Sequence, residues 1–140
     1  MNNHLDRYLE AQKYSYAQAL SEIQRGYKQS HWMWYIFPQI KGLGLSSTSA
    51  YYAIQSLDEA KAYLNHPVLK ENLLEITNAL LQHKEKSASE IFGGTDALKL
   101  KSCMTLFHIA DPDNPVFTQV LQYYFQGNLD EKTIEILKEN

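Results

Sequence analysis

The sequence predicts a mainly α-helical, single compact domain. It is built around one central apolar helix near residues 95–109, with at most one or two short strands. Three observations point there. Apolar residues recur at helical spacing through most of the chain. Ser, Asn, Asp and His–Pro signals stand where those stripes begin. A single stretch, Ser30 to Tyr52, breaks the pattern. The 140 residues suit one domain, 1–140, because two would be small and hard to stabilise separately.

From the N-terminus, Leu5, Tyr8 and Leu9 suggest a short helical piece. Tyr16, Leu20, Ile23 and Tyr27 form a second stripe, with Ser15 as a candidate cap and Gly26 as its stop. The aromatic, β-prone run near Met33 to Phe37 is expected to hold at most a short strand or two, followed by a loop through Gly42-Leu43-Gly44. Ser56-Leu57-Asp58-Glu59 has the form of a capping box, in which serine hydroxyl and glutamate carboxylate each satisfy the other's amide. His66-Pro67 restarts the chain as a helix striped by Leu69, Leu73, Ile76 and Leu80. Ser87 to Glu90 is a second capping box, closed by Gly93-Gly94. Thr95 or Asp96 is expected to cap the next helix. Leu100, Cys103, Met104 and Phe107 fall on one side of it, with Leu98 and Ile109 on the other, so it should be central. Asn114-Pro115 opens a helix carrying Phe117, Val120, Leu121 and Tyr124, and Gly127 ends it. Asp130 caps a last helix bearing Ile134 and Leu137.

Composition removes several kinds of function. The apolar content of 44% is globular, not disordered. The net charge is -3, with acids and bases interspersed and no basic stripe, so no nucleic-acid partner is expected. The longest apolar run, Trp32 to Phe37, is far too short to span a bilayer, and the first residues lack a signal peptide's apolar core. No membrane partner is expected. Cys103 is the single cysteine, so no intrachain disulfide forms, which fits a reducing compartment. His4, His31, His66, His83 and His108 are scattered without metal-ligand spacing, and no metal or cofactor is expected.

Chemistry is best placed in Ser30 to Tyr52. His31 has the side-chain type best suited to exchanging a proton in catalysis. Trp32 and Trp34 offer flat faces for a base or sugar, although tryptophans in small helical domains more often fill the core. Gln39 both donates and accepts. Gly42 and Gly44 let backbone approach a ligand, and Ser46 is placed to meet a phosphate. On the central helix, Lys99 can reach an anion or extend to water, and Thr105 can contact a ligand or bond back to its own helix. His31 and Lys99 are the catalytic candidates. Trp32, Trp34, Gln39, Gly42, Gly44, Ser46 and Thr105 are the ligand-binding candidates.

The block His31-Trp32-Met33-Trp34-Tyr35-Ile36-Phe37-Pro38-Gln39, followed by Gly42-Leu43-Gly44, resembles the domain-of-unknown-function family numbered 1810, some of whose members are labelled calpastatin-like. The likeness continues through Tyr51 to Ile54, Glu59-Ala60, Tyr63-Leu64 and His66-Pro67. It resumes at Phe92-Gly93, Asp96, Lys99-Leu100 and Met104 to Phe107. Cys103 departs from it, standing where the family pattern has serine. The resemblance implies an α-dominated bacterial cytoplasmic protein without an assigned reaction. Ser49 to Gln55, with Glu59, Ala60 and Pro67, is more weakly similar to the NADAR family, small helical proteins linked to ADP-ribose and N-glycosidic cleavage. Ser49 and Ala50 stand where that family has a Glu-His pair.

Two functions follow as expectations. One is a domain that binds or processes a nucleotide-sugar or ADP-ribose-like metabolite, with aromatic stacking, phosphate held near Gly42 and Gly44, and charge stabilised by His31 or Lys99. The other is a non-catalytic module binding a peptide or protein. A monomer or weak dimer is expected in either case. An enclosed cleft favours the first and a flat apolar patch the second.

Overall fold

The computed structural model describes residues 4–139; Met1–Asn3, the start of the stretch read above for a leader, and Asn140 lie outside them. In chain order the helices are α1 (Asp6–Gln24), α2 (Met33–Ile36), α3 (Ser47–Tyr52), α4 (Leu57–Asn65), α5 (Pro67–Leu80), α6 (Ala88–Phe92), α7 (Gly94–Ala110), α8 (Pro115–Phe125) and α9 (Glu131–Glu139). A 3₁₀ turn, Leu81–His83, follows α5. Among the described residues the extended pairing is one isolated parallel bridge between Ile40 and Ile54.

Helix α7 is central, as its sequence predicts. It packs against α4, α6, α8 and α9, while α1 lies across α2 and α5. Leu100, Cys103, Met104, Leu106 and Phe107 are all fully buried. Each large apolar side chain so buried contributes ~1.5–3 kcal/mol. Aromatic rings tie the helices together: Tyr8 meets Tyr63 at 5.2 Å, Tyr63 meets Phe107 at 5.2 Å, and Phe107 meets Phe117 at 6.0 Å. The apolar coverage of α7 is not complete, however. Leu98 is 65% exposed, because the first turns of α7 face a surface hollow and not a neighbouring helix.

Most helix ends follow local chemistry. The His66 ring nitrogen accepts from the Val68 amide, and Ser87 with Glu90 forms both halves of its box. Asn114 caps α8, and the Asp130 carboxylate accepts from the Thr133 amide to cap α9. Four ends differ from expectation. Helix α1 is continuous, because the Ser15 hydroxyl accepts from Tyr35 and caps nothing. Tyr27 lies beyond the stop at Gly26, whose φ is +80°, and is exposed. The Ser56 box forms only half: Ser56 accepts from the Glu59 amide, but the Glu59 carboxylate goes to the Gln55 amide and to Arg7. Gly93, at φ +83°, precedes α7 directly, leaving Thr95 and Asp96 inside its first turn.

Met33 to Ile36 is one helical turn, not strand. Its position is set by long-range contacts. The Trp32 indole N–H donates to Glu22 on α1 at 2.9 Å, and Phe37 stacks edge-on against Phe92 at 5.8 Å. Buried Gln12 of α1 donates to the Tyr35 carbonyl and the Tyr63 hydroxyl and accepts from Asn72, so α1, α2, α4 and α5 share one polar anchor.

Candidate functional site

The segment between α2 and α4 forms one wall of a cleft. Gln39 and Lys41 straddle the bridge: the Ile54 amide donates to the Gln39 carbonyl, and the Lys41 amide donates to the Ile54 carbonyl. The chain then turns at Gly42, whose φ of +96° disfavours any side chain. Gly44 is required for a different reason. A Cβ there would stand 2.5 Å from Ser49 Cβ and Oγ, so the loop lies directly on α3. The Ser46 hydroxyl caps α3 by accepting from the Ser49 amide.

The far side of this wall is pinned by Arg7. Its guanidinium donates to the carbonyls of Tyr51 and Ala53, each at 2.8 Å, and pairs with buried Glu59 at 2.9 Å. The Tyr8 hydroxyl donates to the Tyr52 carbonyl at 2.7 Å. A buried pair of this kind leaves a costly lone charge if either member is removed.

The cleft consists of two hollows. The first, about 190 Å³, is walled by Trp34, Gln39, the 40–44 loop, Ser49, Tyr52 and Gln55. The second, about 250 Å³, lies between the loop and the facing parts of α7 and α9, and includes Leu98, Lys99, Ser102, Asp130 and Lys132. Gln39, Leu43 and Gly44 line both. Among the described residues, the Gln39 side-chain amide and the backbone amides of Gly42, Leu43 and Gly44 donate to no protein acceptor.

Charge is organised around Asp96. Lys28 Nζ is 2.9 Å from one of its carboxylate oxygens and Lys99 Nζ is 3.4 Å from the other. Lys99 Nζ also stands 5.3 Å from the Trp34 ring centre, and Lys28 stands 4.9 Å from that of Trp32. Lys28 in turn donates to the Ser30 carbonyl. The loop carrying these groups is clamped by Glu22, which accepts from the amides of Gln29 and Ser30, the Ser30 hydroxyl and the Trp32 indole. Burial alone pushes the Glu22 carboxyl up, but those hydrogen bonds, led by the Ser30 hydroxyl, outweigh it and hold the group down at about 2. Burial raises the Tyr52 phenol, which therefore stays neutral and able to donate. Burial also pushes the Cys103 thiol well above its ordinary value, so it is not a thiolate nucleophile.

The structure brings together Trp34, Gln39, Gly42, Gly44 and Lys99. It separates the other candidates from them. His31 is exposed and lines neither hollow. Trp32 is 1% exposed and belongs to the core, with its polar edge consumed by Glu22. Ser46 is engaged as a helix cap. Thr105 is fully buried: its hydroxyl donates to the Lys101 carbonyl at 2.8 Å and accepts from the Asp130 amide at 2.9 Å. Tyr52, Gln55, Asp130 and Lys132 line the cleft without having been site candidates in the sequence. Asp130 and Lys132 lie near the other end of the chain from the aromatic block, and no local pattern joins them to it.

These features define an all-helical protein with a polar and aromatic cleft between a glycine loop and its central helix. The chain belongs to a family of proteins of unknown function, DUF1810, whose model matches residues 2–137. It is similar to a solved structure, the conserved hypothetical protein Rv1873 from Mycobacterium tuberculosis, at 42% identity and a TM-score of 0.95, covering 97% of each chain. No curated protein matches it. The NADAR likeness is not shown by the family match or by the structural relative. Among the described residues, no helix is long and apolar enough to cross a membrane, and no group of His, Cys, Asp and Glu is placed to hold a metal ion.

Proposed function

We propose that the cleft binds a small nucleotide-type metabolite of the nucleotide-sugar or ADP-ribose class. The observation that carries this reading is the convergence of an aromatic wall, Trp34, with the unpaired Gln39 amide and the unpaired loop amides in one concave surface. The first hollow alone is smaller than a usual ligand site of ~300–1,000 Å³, and the second adjoins it across the shared residues Gln39, Leu43 and Gly44. A side-chain amide that can donate and accept at once matches the edge of adenine. A flat ring against Trp34 gains stacking and dispersion, and the amides of Gly42 to Gly44 face the ligand's oxygens. Lys99 supplies positive charge where a reaction would develop negative charge.

Binding at ~micromolar to millimolar strength requires ~4–8 kcal/mol, which such contacts can provide. Titration with ADP-ribose, NAD and AMP, followed by calorimetry and tryptophan fluorescence, tests the reading. Heat and a fluorescence change are expected. Trp34→Ala should weaken binding, whereas exposed His31→Ala should leave it unchanged. No heat and no spectral change at ~millimolar ligand, a level corresponding to ~4 kcal/mol, ends the reading. The partner-binding alternative draws on Leu45 and Leu98, both largely exposed, with Leu98 at the edge of the second hollow. It takes precedence if the titrations are silent.

A further inference from the structure

Resting on the nucleotide reading above, we infer that the hollow between α7 and α9 is the anion subsite of the cleft. Lys99 and Lys132 hold the ligand's phosphate there, and the neutral ring and sugar occupy the Trp34 hollow. The ligand class is accordingly a phosphate ester, selected over its unphosphorylated parent.

The argument is one of charge left over. Two carboxylates stand by the lysines of this hollow: Asp130 lines it, and Asp96 pairs with Lys99. Asp130 Oδ2 accepts from the Ser102 hydroxyl at 2.9 Å, the Thr133 hydroxyl at 2.6 Å and the Thr133 amide at 3.2 Å. That oxygen joins α7 to α9 and caps α9, where it also meets the positive end of the helix dipole. Asp96 is shared between Lys28 at 2.9 Å and Lys99 at 3.4 Å, so one carboxylate faces two ammonium groups, and the nearer is Lys28. Among the described residues Lys132 is in no ion pair. Lys99 and Lys132 thus line the hollow against one lining carboxylate, Asp130, with Asp96 shared between Lys99 and Lys28, a local positive surplus on a chain whose net charge is -3.

Position supports the same division. Gln39 lines both hollows and stands where a ligand's neutral and acidic parts would join. Lys99 lines the second hollow and its ammonium stands 5.3 Å from the Trp34 ring centre, so its charge lies at the junction of the two hollows. Partial burial of Lys99 weakens solvent screening, so a phosphate there is held more strongly than by an exposed lysine. Lys61 of α4 is exposed and lines neither hollow, which makes it the natural control.

The test is calorimetric titration of the full chain with AMP and with adenosine at low salt. The wild type should bind AMP about tenfold or more tighter than adenosine, the scale of a charge-assisted contact. The double variant Lys99→Met, Lys132→Met should bind the two ligands alike, with adenosine affinity unchanged. The Lys99→Arg, Lys132→Arg pair should keep most of the preference, and Lys61→Met should keep all of it. Raising salt from ~0.05 M to ~0.5 M should shrink the preference in the wild type alone. Unchanged melting temperatures show that the variants are folded. Equal binding of AMP and adenosine by the wild type overturns the subsite while leaving the nucleotide reading intact. So does a preference that survives the double methionine variant or disappears with Lys61→Met. Failure of both ligands to bind overturns the subsite and the nucleotide reading together.

Discussion

Glu22→Gln is the perturbation most closely determined by the structure. The carboxylate is 1% exposed and accepts from two amides, a hydroxyl and an indole, so it holds residues 29–32 to α1. Despite burial, these donors lower it from an ordinary 4.5 to about 2. At ~1.36 kcal/mol per pH unit that depression corresponds to ~3 kcal/mol, and screening by solvent beside the half-exposed loop reduces it to ~2 kcal/mol. The sign follows from linkage. A lowered carboxyl contributes its full stability above its unfolded value, and the contribution is lost as pH falls through about 2. Glutamine cannot ionise, and its NH2 group faces donors that need an acceptor, which adds a pH-independent cost of ~1 kcal/mol. Urea unfolding of wild type and variant at pH 7, 4 and 2.5 should show a gap of ~3 kcal/mol at pH 7 that narrows steadily toward ~1 kcal/mol. A gap of the same size at all three pH values refutes the assignment of Glu22 as an ionised clamp.

Gly44→Ala should cost ~1–3 kcal/mol, since its Cβ would meet Ser49 at 2.5 Å, and adding Ser49→Gly should restore most of the loss in a thermal melt. A tolerated single variant would mean that the loop and α3 are not in contact. Leu106→Ala, at a fully buried position of α7, should cost ~2–5 kcal/mol by urea unfolding, and an unchanged midpoint would remove α7 from the centre of the core.

The helical framework was legible because its punctuation is local. His66-Pro67, Ser87 with Glu90, Asn114-Pro115 and Asp130 each place an acceptor within three residues of the amide it serves. Where the partner comes from afar, the same reasoning stops short. Glu59 completes no box because Arg7, 52 residues earlier, takes its carboxylate. The β-prone Met33 to Ile36 run is helical because Glu22 and Gln12 of α1 set the path of the chain around it. Trp32 and Trp34 read alike in sequence, yet their separation into core and cleft depends on which indole reaches Glu22. The aromatic block and its glycines marked one wall of the cleft, and Lys99 marked part of the other. Asp130 and Lys132 come to that wall only because α9 packs on α7, a contact that no sequence spacing announces.

The central claim, that the Trp34–Gln39–Lys99 cleft receives a nucleotide-type ligand, is tested most directly by an amide and indole NMR titration with AMP. The two indole signals are distinguishable in principle because Trp32 donates to Glu22 and Trp34 does not. The account expects the Trp34 indole, the Gln39 side chain and the amides of Gly42 to Gly44 to shift together and saturate, while the Trp32 indole and His31 stay in place. No shift at ~millimolar AMP contradicts it, as does a pattern confined to the exposed surface around Leu45.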